Sequence, residues 1–282
     1  MWRYKSLFVL GLGLLFALIL SVQMGMYVMN HLFGTIISLN IFQLCISLFH
    51  GNTFVYHAVL IAVNTFIAYT IFMIVKKVIQ QIFGIYKVNK RISIEKNIQL
   101  TEKINGTYNR KQNDITIIDS TEPIAFTMGF FKPKIVLSSA LITMLDKAEL
   151  EAVIYHETAH QKYYDPLMLL VLQIISEVMW YIPLTRWSYE NYKIMIELVA
   201  DEYAIKRMGS ELGLGSALLK LIKTRLSGRG TSALVPFANG TVDFRIKQLI
   251  NPEPTIPVKM QTKSVFISIN MIMILMTLLV VV

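Results

Sequence analysis

Apolar positions fill the beginning of the chain almost without interruption. From residue 6 to residue 75 the sequence contains no Asp, Glu, Lys or Arg. Within this run, residues 7–29 and 54–75 are continuous apolar segments, and each exceeds the roughly 20 residues that a helix needs to cross a bilayer. Residues 31–50 carry more polar side chains and fit a third span, a re-entrant segment or a surface helix. We predict a transmembrane region over residues 1–77.

The distribution of basic residues predicts the orientation of these segments. The loop between them, residues 30–53, has no Lys or Arg, whereas basic residues precede the first segment and follow the second. Because positive charge is retained in the cytoplasm, both flanks are expected there and the loop outside. If residues 31–50 also cross the membrane, the N-terminus would instead lie outside. A last apolar run, in residues 261–282, predicts a C-terminal transmembrane helix that starts in the cytoplasm. The basic residues are Arg3, Lys5, Lys76, Lys77, Lys87, Lys90 and Arg91 at the first two segments, and Lys259 and Lys263 at the last.

After residue 77 the apolar positions become periodic, as in a domain with one face in water. Residues 78–105 have the spacing of an amphipathic helix, whereas residues 115–118 and 134–137 are runs typical of β-strands. Gly129 and Pro133 mark a turn before the second strand. We predict a cytoplasmic domain over residues 78–260.

The segment before this turn has two interpretations. Phe126, Thr127, Met128 and Gly129 form either an ordinary hairpin edge or an edge strand beside a cleft, to which a substrate peptide adds as a further strand. Composition alone favours the first interpretation, and a nearby active site would favour the second.

Helical periodicity returns after residue 146. Asp146 followed by Glu149 predicts a capped helix start, and Asp165-Pro166 is expected to end or kink that helix. Residues 167–182 are mostly apolar, so we expect a helix that is buried against the membrane or dips into it, where Glu177 is costly unless paired. Further helices are predicted over residues 188–208, 211–226 and 242–250, with Pro183 as a break before the first of them.

The capped helix carries His156-Glu157-Thr158-Ala159-His160, which fits the pattern H-E-x-x-H. Residues four apart share one helix face, so both imidazoles can bind one Zn²⁺ and Glu157 can reach the water that the metal activates. The alternative is two buried histidines that share this spacing by chance. We predict one Zn²⁺ per chain, with His156 and His160 as ligands and Glu157 as the general base.

The third ligand has to be a carboxylate, because no histidine follows His160. Glu197 is the best candidate, since it shares one face of its predicted helix with Asp201. Asp201 would then accept a hydrogen bond from the free ring nitrogen of a zinc-bound histidine and orient that ring. Glu190 and Glu202 are weaker alternatives: Glu190 lacks a partner at this spacing, and Glu202 points away from Asp201 by about 100°.

Composition agrees with a membrane protein and excludes several other classes. Apolar residues make up 54% and charged residues 16%, against about 25% charged in soluble proteins. The single cysteine, Cys45, excludes an intramolecular disulfide and zinc sites built from several cysteines. The net charge of +9 is explained by basic residues beside apolar segments, and no nucleic-acid-binding motif accompanies it. We therefore expect no direct nucleic-acid partner.

Together, these motifs resemble those of the gluzincin metallopeptidases, and among them the membrane-bound peptidase family of the BlaR/MecR antibiotic-sensing transducers. The resemblance covers residues 114–250 well and the N-terminal segments in outline. It is weaker to the HtpX-like heat-shock proteases, whose corresponding strand segment is centred on Ala-Thr-Gly. The residues that carry it are AFTMGFFKPKIVL at 125–137, His156 to His160, Asp165, and Glu197-Leu198-Val199-Ala200-Asp201.

The resemblance implies a mainly α membrane protein with an α+β gluzincin-type zinc protease domain. In such a fold a small β-sheet packs on the H-E-x-x-H helix, and we expect about four transmembrane or membrane-embedded helices. The protein would be a multi-pass protein of the cell membrane with its protease domain facing the cytoplasm, as the basic residues also indicate. The antibiotic sensors continue into an extracellular penicillin-binding domain, whereas this sequence stops at Val282, so no β-lactam sensor is expected.

The expected activity is hydrolysis of peptide bonds in a cytoplasmic or membrane-proximal protein, in regulatory proteolysis or signal transduction. By resemblance, a transcriptional repressor is one candidate substrate. Two alternatives stay open: a non-proteolytic signal transducer whose zinc fold is an interaction module, and a quality-control protease of the HtpX-like kind. Glu157 favours an active enzyme, because a structural zinc site needs no general base.

Overall fold

The computed structural model describes residues 2–34, 43, 46–47, 53–110, 114–226, 241–251, 266–268 and 270. The predictions for residues 31–50 and 261–282 therefore lie largely outside the described part. Helices dominate, and one small sheet accompanies them. The elements in chain order are α1 (Trp2–Phe33), α2 (Thr53–Glu95), α3 (Ile98–Thr107), β1 (Ile115–Ile118), β2 (Ala125–Met128), β3 (Lys134–Ser138), α4 (Ser139–Met144), α5 (Lys147–Tyr163), α6 (Asp165–Val178), α7 (Pro183–Met208), α8 (Leu212–Leu226) and α9 (Val242–Ile250).

The chain divides into two compact units. The first, which we call the site unit, consists of Met1–Leu7, Gln81–Leu170 and Asn191–Pro257. The second, the apolar unit, consists of Phe8–Gln80, Val171–Glu190 and Val258–Val282.

Two described helices are long and apolar enough to cross a membrane. These are α1, over Trp2–Asn30, and α2, over Phe54–Glu95, and they include both segments that the sequence predicts as strong spans. Within the apolar unit, the Glu177 carboxylate accepts hydrogen bonds from Lys77 Nζ at 2.5 Å and Gln173 Nε2 at 2.9 Å. The polar residue that the sequence leaves isolated in an apolar helix is thus paired.

The predicted amphipathic helix over residues 78–105 is wrong in its bounds. Helix α2 continues unbroken to Glu95, and a separate helix, α3, begins at Ile98. The break occurs because Asn97 acts as an N-cap: its backbone is extended and its side chain accepts a hydrogen bond from Leu100 N. Lys96, just before it, forms an isolated bridge with Ile118.

The sheet of the site unit has three strands in the order β1-β3-β2. Strand β3 is central, parallel to β1 and antiparallel to β2. Both predicted strands are confirmed, and the turn between β2 and β3 contains Gly129 with φ 100°. Gly129 is needed there, because a Cβ would lie 2.9 Å from the carbonyl oxygen of Lys132. Because the strand order is β1-β3-β2, strand β2 lies at an edge of this sheet.

Helix α5 packs against this sheet and begins with the predicted capping box. Asp146 Oδ1 accepts from Glu149 N, and Glu149 Oε2 accepts from Asp146 N, both at 2.8 Å. The helix ends at Tyr163, because Tyr164 adopts a left-handed conformation with φ 55°. The core between helix and sheet is aliphatic; its fully buried residues include Ile115, Ile117, Ile135, Leu137 and Leu141.

Two prolines, Pro166 and Pro183, lie in the first turn of a helix. Pro166 lies in the first turn of α6, and Pro183 is the first residue of α7. A proline costs nothing at these positions, since the first N–H groups of a helix have no partner within it. The predicted helix over residues 188–208 therefore starts five residues earlier than expected, whereas α9 matches its prediction.

Candidate metal centre

Helices α5 and α7 bring two histidines and one glutamate together in the site unit. His156 and His160 point from the same face of α5, and their Nε2 atoms are 3.1 Å apart. Glu197, on α7, places Oε2 at 3.4 Å from His156 Nε2 and Oε1 at 3.7 Å from His160 Nε2. One possible ligand atom from each residue lies within 4.8 Å of the others. Glu190 and Glu202 are not in this group of described residues.

The other ring nitrogens of the two histidines are each held by a carboxylate. His156 Nδ1 lies 2.8 Å from Asp201 Oδ1, and His160 Nδ1 lies 2.8 Å from Asp165 Oδ2. Each imidazole can then donate from Nδ1, which leaves the Nε2 lone pair directed at the shared position. Asp201 was predicted from its spacing, whereas Asp165 was named only for the helix end and as a residue of the resemblance, and not as a partner of a histidine. Tyr192 Oη supports Asp165 through a longer contact of 3.4 Å.

Arg245 is the residue of this site that the sequence analysis missed. It lies on α9, and its guanidinium donates to both Asp201 oxygens, at 2.8 and 2.7 Å. A further N–H donates to Glu197 Oε2 at 3.2 Å. The Arg245 side chain is only 13% exposed, so this is a partly buried cation between two carboxylates. It compensates the negative charge that the ligand helix brings to the site.

Electrostatics in the metal-free protein follow from burial and pairing. Burial lowers the pKa of His160, but the hydrogen bond with Asp165 and the charge of Glu197 outweigh it and raise this pKa to about 9. Burial raises the pKa of Glu197, yet the hydrogen bond with His156 and the charges of His160 and Arg245 hold it below its usual value. Glu197 therefore stays charged, and His160 holds a proton that a bound metal would have to displace.

Glu157 lies beside the two histidines on α5 and is buried. Its carboxylate oxygen Oε2 is 2.8 Å from Thr127 Oγ1, on the edge strand β2. The same hydroxyl is 2.9 Å from the backbone oxygen of Glu157. Strand β2 therefore reaches the predicted general base directly, through one of the four residues that the sequence analysis proposed as a substrate strand.

A partly buried hydrogen-bond network connects the motif helix with Arg110 and with the turn of the hairpin. Arg110 donates to Asp114 through two nitrogens, each at 2.8 Å, and to Thr158 Oγ1 at 3.1 Å. Gln161 Nε2 donates to the carbonyl oxygen of Pro133 at 2.8 Å. Thr158 lies between the two histidines of α5, and Gln161 directly follows His160, so these hydrogen bonds connect the motif helix with Arg110 and with the β2–β3 turn.

The donor set fits a zinc ion. Two imidazole nitrogens and one carboxylate face a common position, and both imidazoles are oriented by carboxylates at Nδ1. This is the arrangement of a three-ligand catalytic zinc site, which keeps a fourth position for water or substrate. The two Nε2 atoms are 3.1 Å apart, close enough for both to bind one cation in place of the proton that His160 holds in the metal-free protein.

Comparison with known families agrees with this geometry. Residues 42–249 match the family described as BlaR1 peptidase M56, and the chain belongs to it. The predicted resemblance is thereby confirmed, and with it a membrane-associated metallopeptidase that acts on proteins or peptides. No curated protein matches the chain.

Proposed function

We propose that this chain is a membrane-bound zinc metalloendopeptidase whose site unit faces the cytoplasm. The main support for the proposal is that possible ligand atoms of His156, His160 and Glu197 lie close together, with Glu157 next to His156 on the same helix. Membership of the peptidase family supports the reaction class. The two apolar helices support the membrane location, and the basic residues around them support the orientation.

In this proposal His156, His160 and Glu197 hold the metal, and Asp201 and Asp165 orient the two imidazoles. When bound, zinc would supply Lewis-acid activation of a water molecule and of the scissile carbonyl. Glu157 takes a proton from the attacking water as the new carbon–oxygen bond forms. It then passes a proton to the leaving nitrogen as the carbon–nitrogen bond breaks. The partly buried guanidinium of Arg245 keeps Asp201 and Glu197 charged during these steps.

The edge strand β2 supports a mode of substrate binding. Its residues Phe126, Thr127 and Met128, with Gly129 at the turn, form the outer edge of the sheet, and Thr127 contacts Glu157. A peptide that adds to this edge in an extended conformation would run past the general base. We propose regulatory proteolysis of a cytoplasmic or membrane-proximal protein, for which a transcriptional repressor is one candidate.

An interaction module with a structural zinc is the second candidate function. It would need the three ligands and the oriented imidazoles but not Glu157. The burial of Glu157 and its contact with Thr127 favour the protease, because an unused carboxylate is costly to bury.

The test compares wild type with Glu157→Gln in cells, by quantitative proteomics of protein N-termini. The expected result is a set of cleavage products that is absent in the variant, while both purified proteins contain one zinc per chain. Glu151→Gln, on the same helix, is the matched control and keeps the products. If Glu157→Gln retains every cellular effect of the wild type with zinc bound, the interaction module is the correct function.

His156→Ala tests the metal assignment. This substitution removes one of three protein ligands, so the purified variant is expected to lose its zinc. Retention of one zinc per chain would overturn the ligand set.

A further inference from the structure

The side chain of Thr127 contacts the predicted general base, Glu157, from the edge strand β2. Side chains alternate along a strand, so Thr127 points to one face of β2 and its neighbours Phe126 and Met128 to the other. On its own face Thr127 meets α5, where Oγ1 lies 2.8 Å from Glu157 Oε2. The residue is therefore placed to act on Glu157 through its hydroxyl.

We propose that Thr127 is a positioning residue that holds the Glu157 carboxylate in the orientation needed for proton transfer. The inference rests on the proposed function, because it assigns a role to Thr127 through the general base. It differs from the substrate-strand role, which concerns the backbone of β2 and not the hydroxyl.

The hydroxyl has two acceptors and one hydrogen. Its distances to Glu157 Oε2 and to the Glu157 backbone oxygen are 2.8 and 2.9 Å. When Glu157 is a carboxylate, Thr127 donates to Oε2; when Glu157 has taken a proton there, the carboxyl group donates to Oγ1 and Thr127 donates to the backbone oxygen. One hydroxyl thus suits both forms of Glu157 that proton transfer produces.

Thr127 is itself held in place from two directions. Its backbone is in register with Ile135 on the central strand β3. The turn that follows is anchored to α5, since Gln161 Nε2 donates to the carbonyl oxygen of Pro133. A hydroxyl fixed in this way limits the rotamers of the long Glu157 side chain, so that the carboxylate is arranged before the substrate binds.

The experiment compares Thr127→Val, which keeps the shape and loses the hydroxyl, with Thr127→Ser, which keeps the hydroxyl. The full-length protein is purified in detergent, and the probe is the internally quenched peptide that wild type cleaves fastest from a peptide library. For Thr127→Val we expect kcat to fall by about tenfold or more and KM to stay within about twofold. Thr127→Ser is expected to retain kcat within about threefold.

Two further readouts separate positioning from a structural defect. Zinc content and the absorption spectrum of the cobalt-substituted protein report the ligand set, and both should be unchanged in Thr127→Val. Thr116→Val, in strand β1 of the same sheet, is the matched control and should behave as wild type. If Thr127→Val does not fold, Thr127→Ala takes its place in the comparison with Thr127→Ser.

Each outcome decides between distinct conclusions. Unchanged kcat in Thr127→Val, an increase in KM alone, or equal losses in the Val and Ser variants would each overturn the positioning role. Peptide cleavage that is absent in wild type, or equal in wild type and Glu157→Gln, would instead overturn the proposed protease function. The two hypotheses therefore fail in different measurements.

Discussion

At the scale of single residues, the protonation of His160 controls how the site accepts a metal. Burial lowers its pKa, but Asp165 and Glu197 raise it from the usual 6.5 to about 9 in the metal-free protein. A ligand histidine has to be neutral, so zinc binding at the proposed site would displace this proton. Above a pH of about 9 the proton is already lost, and below that value it competes with the metal.

We therefore predict that zinc affinity rises as pH increases from 6.5 to 9, by at least about tenfold per unit, because His160 loses one proton and the pKa of His156 is raised as well. The stability of the metal-free protein should change in the opposite direction. The unfolded chain releases this proton near pH 6.5 and the folded protein near pH 9. The contribution of protonated His160 to the free energy of unfolding is therefore fully present below pH 6.5 and is lost as pH rises towards 9.

Competition with a chelator of known affinity at several pH values measures the first effect. Asp165→Asn removes the negative partner of His160, so its affinity should depend less on pH in this window and be about 10–100-fold lower at high pH. An affinity that is independent of pH in wild type would contradict the prediction.

Arg245 gives a second prediction at the residue scale. Arg245→Met leaves Asp201 and Glu197 without their shared cation, and the Asp201 side chain is only 6% exposed. Breaking such a buried pair should lower the free energy of unfolding by about 3 kcal/mol. Thermal and denaturant unfolding of the purified protein measure the loss.

The partner variant makes this prediction specific. Asp201→Asn in the Arg245→Met background removes the charge that was left unpaired, so it should restore part of the stability. Lys247→Met, an exposed cation on the same helix, should change stability by less than about 0.5 kcal/mol. Equal losses in Arg245→Met and Lys247→Met would show that the buried pair is unimportant.

At the scale of elements, the turn between β2 and β3 determines where the edge strand lies. Gly129→Ala introduces a Cβ that would lie 2.9 Å from the carbonyl oxygen of Lys132, at a φ of 100°. We predict a loss of stability of at least about 1 kcal/mol and lower peptidase activity, because the turn and β2 have to shift. Gly106→Ala, in α3 with open space around it, should be neutral or stabilising by up to about 1 kcal/mol. Similar effects of the two substitutions would contradict this account of the turn.

The elements also show which features the sequence can predict. The strands, the capping box of α5 and the short helix α9 have local patterns, and they were found. The break at Asn97 was missed because the apolar spacing of α2 continues into α3, and only the cap separates them. Arg245 was missed for a different reason: within α9 it has the pattern of an ordinary polar residue, and only tertiary packing brings it to Asp201, 44 positions earlier.

At the scale of the whole molecule, the described chain combines helices that are apolar enough to span a membrane with a buried group of charged and ligating side chains. Helix α2 includes a candidate span of 42 residues, about twice what a bilayer requires. Its last residue, Glu95, accepts a hydrogen bond from Asp119 N, directly after strand β1. The end of α2 is thus hydrogen-bonded to a neighbour of β1 within the site unit.

Orientation across the membrane is the last prediction. If the positive flanks are cytoplasmic, an exposed residue of the site unit is protected from reagents outside the cell. In a Cys45→Ser background, Lys103→Cys on α3 should react with a membrane-impermeant maleimide only after permeabilisation of spheroplasts. Asn52→Cys, in the loop predicted to face outward, is the opposite control and should react in intact spheroplasts. Labelling of Lys103→Cys in intact spheroplasts would place the metal site outside, where a cytoplasmic repressor cannot be the substrate.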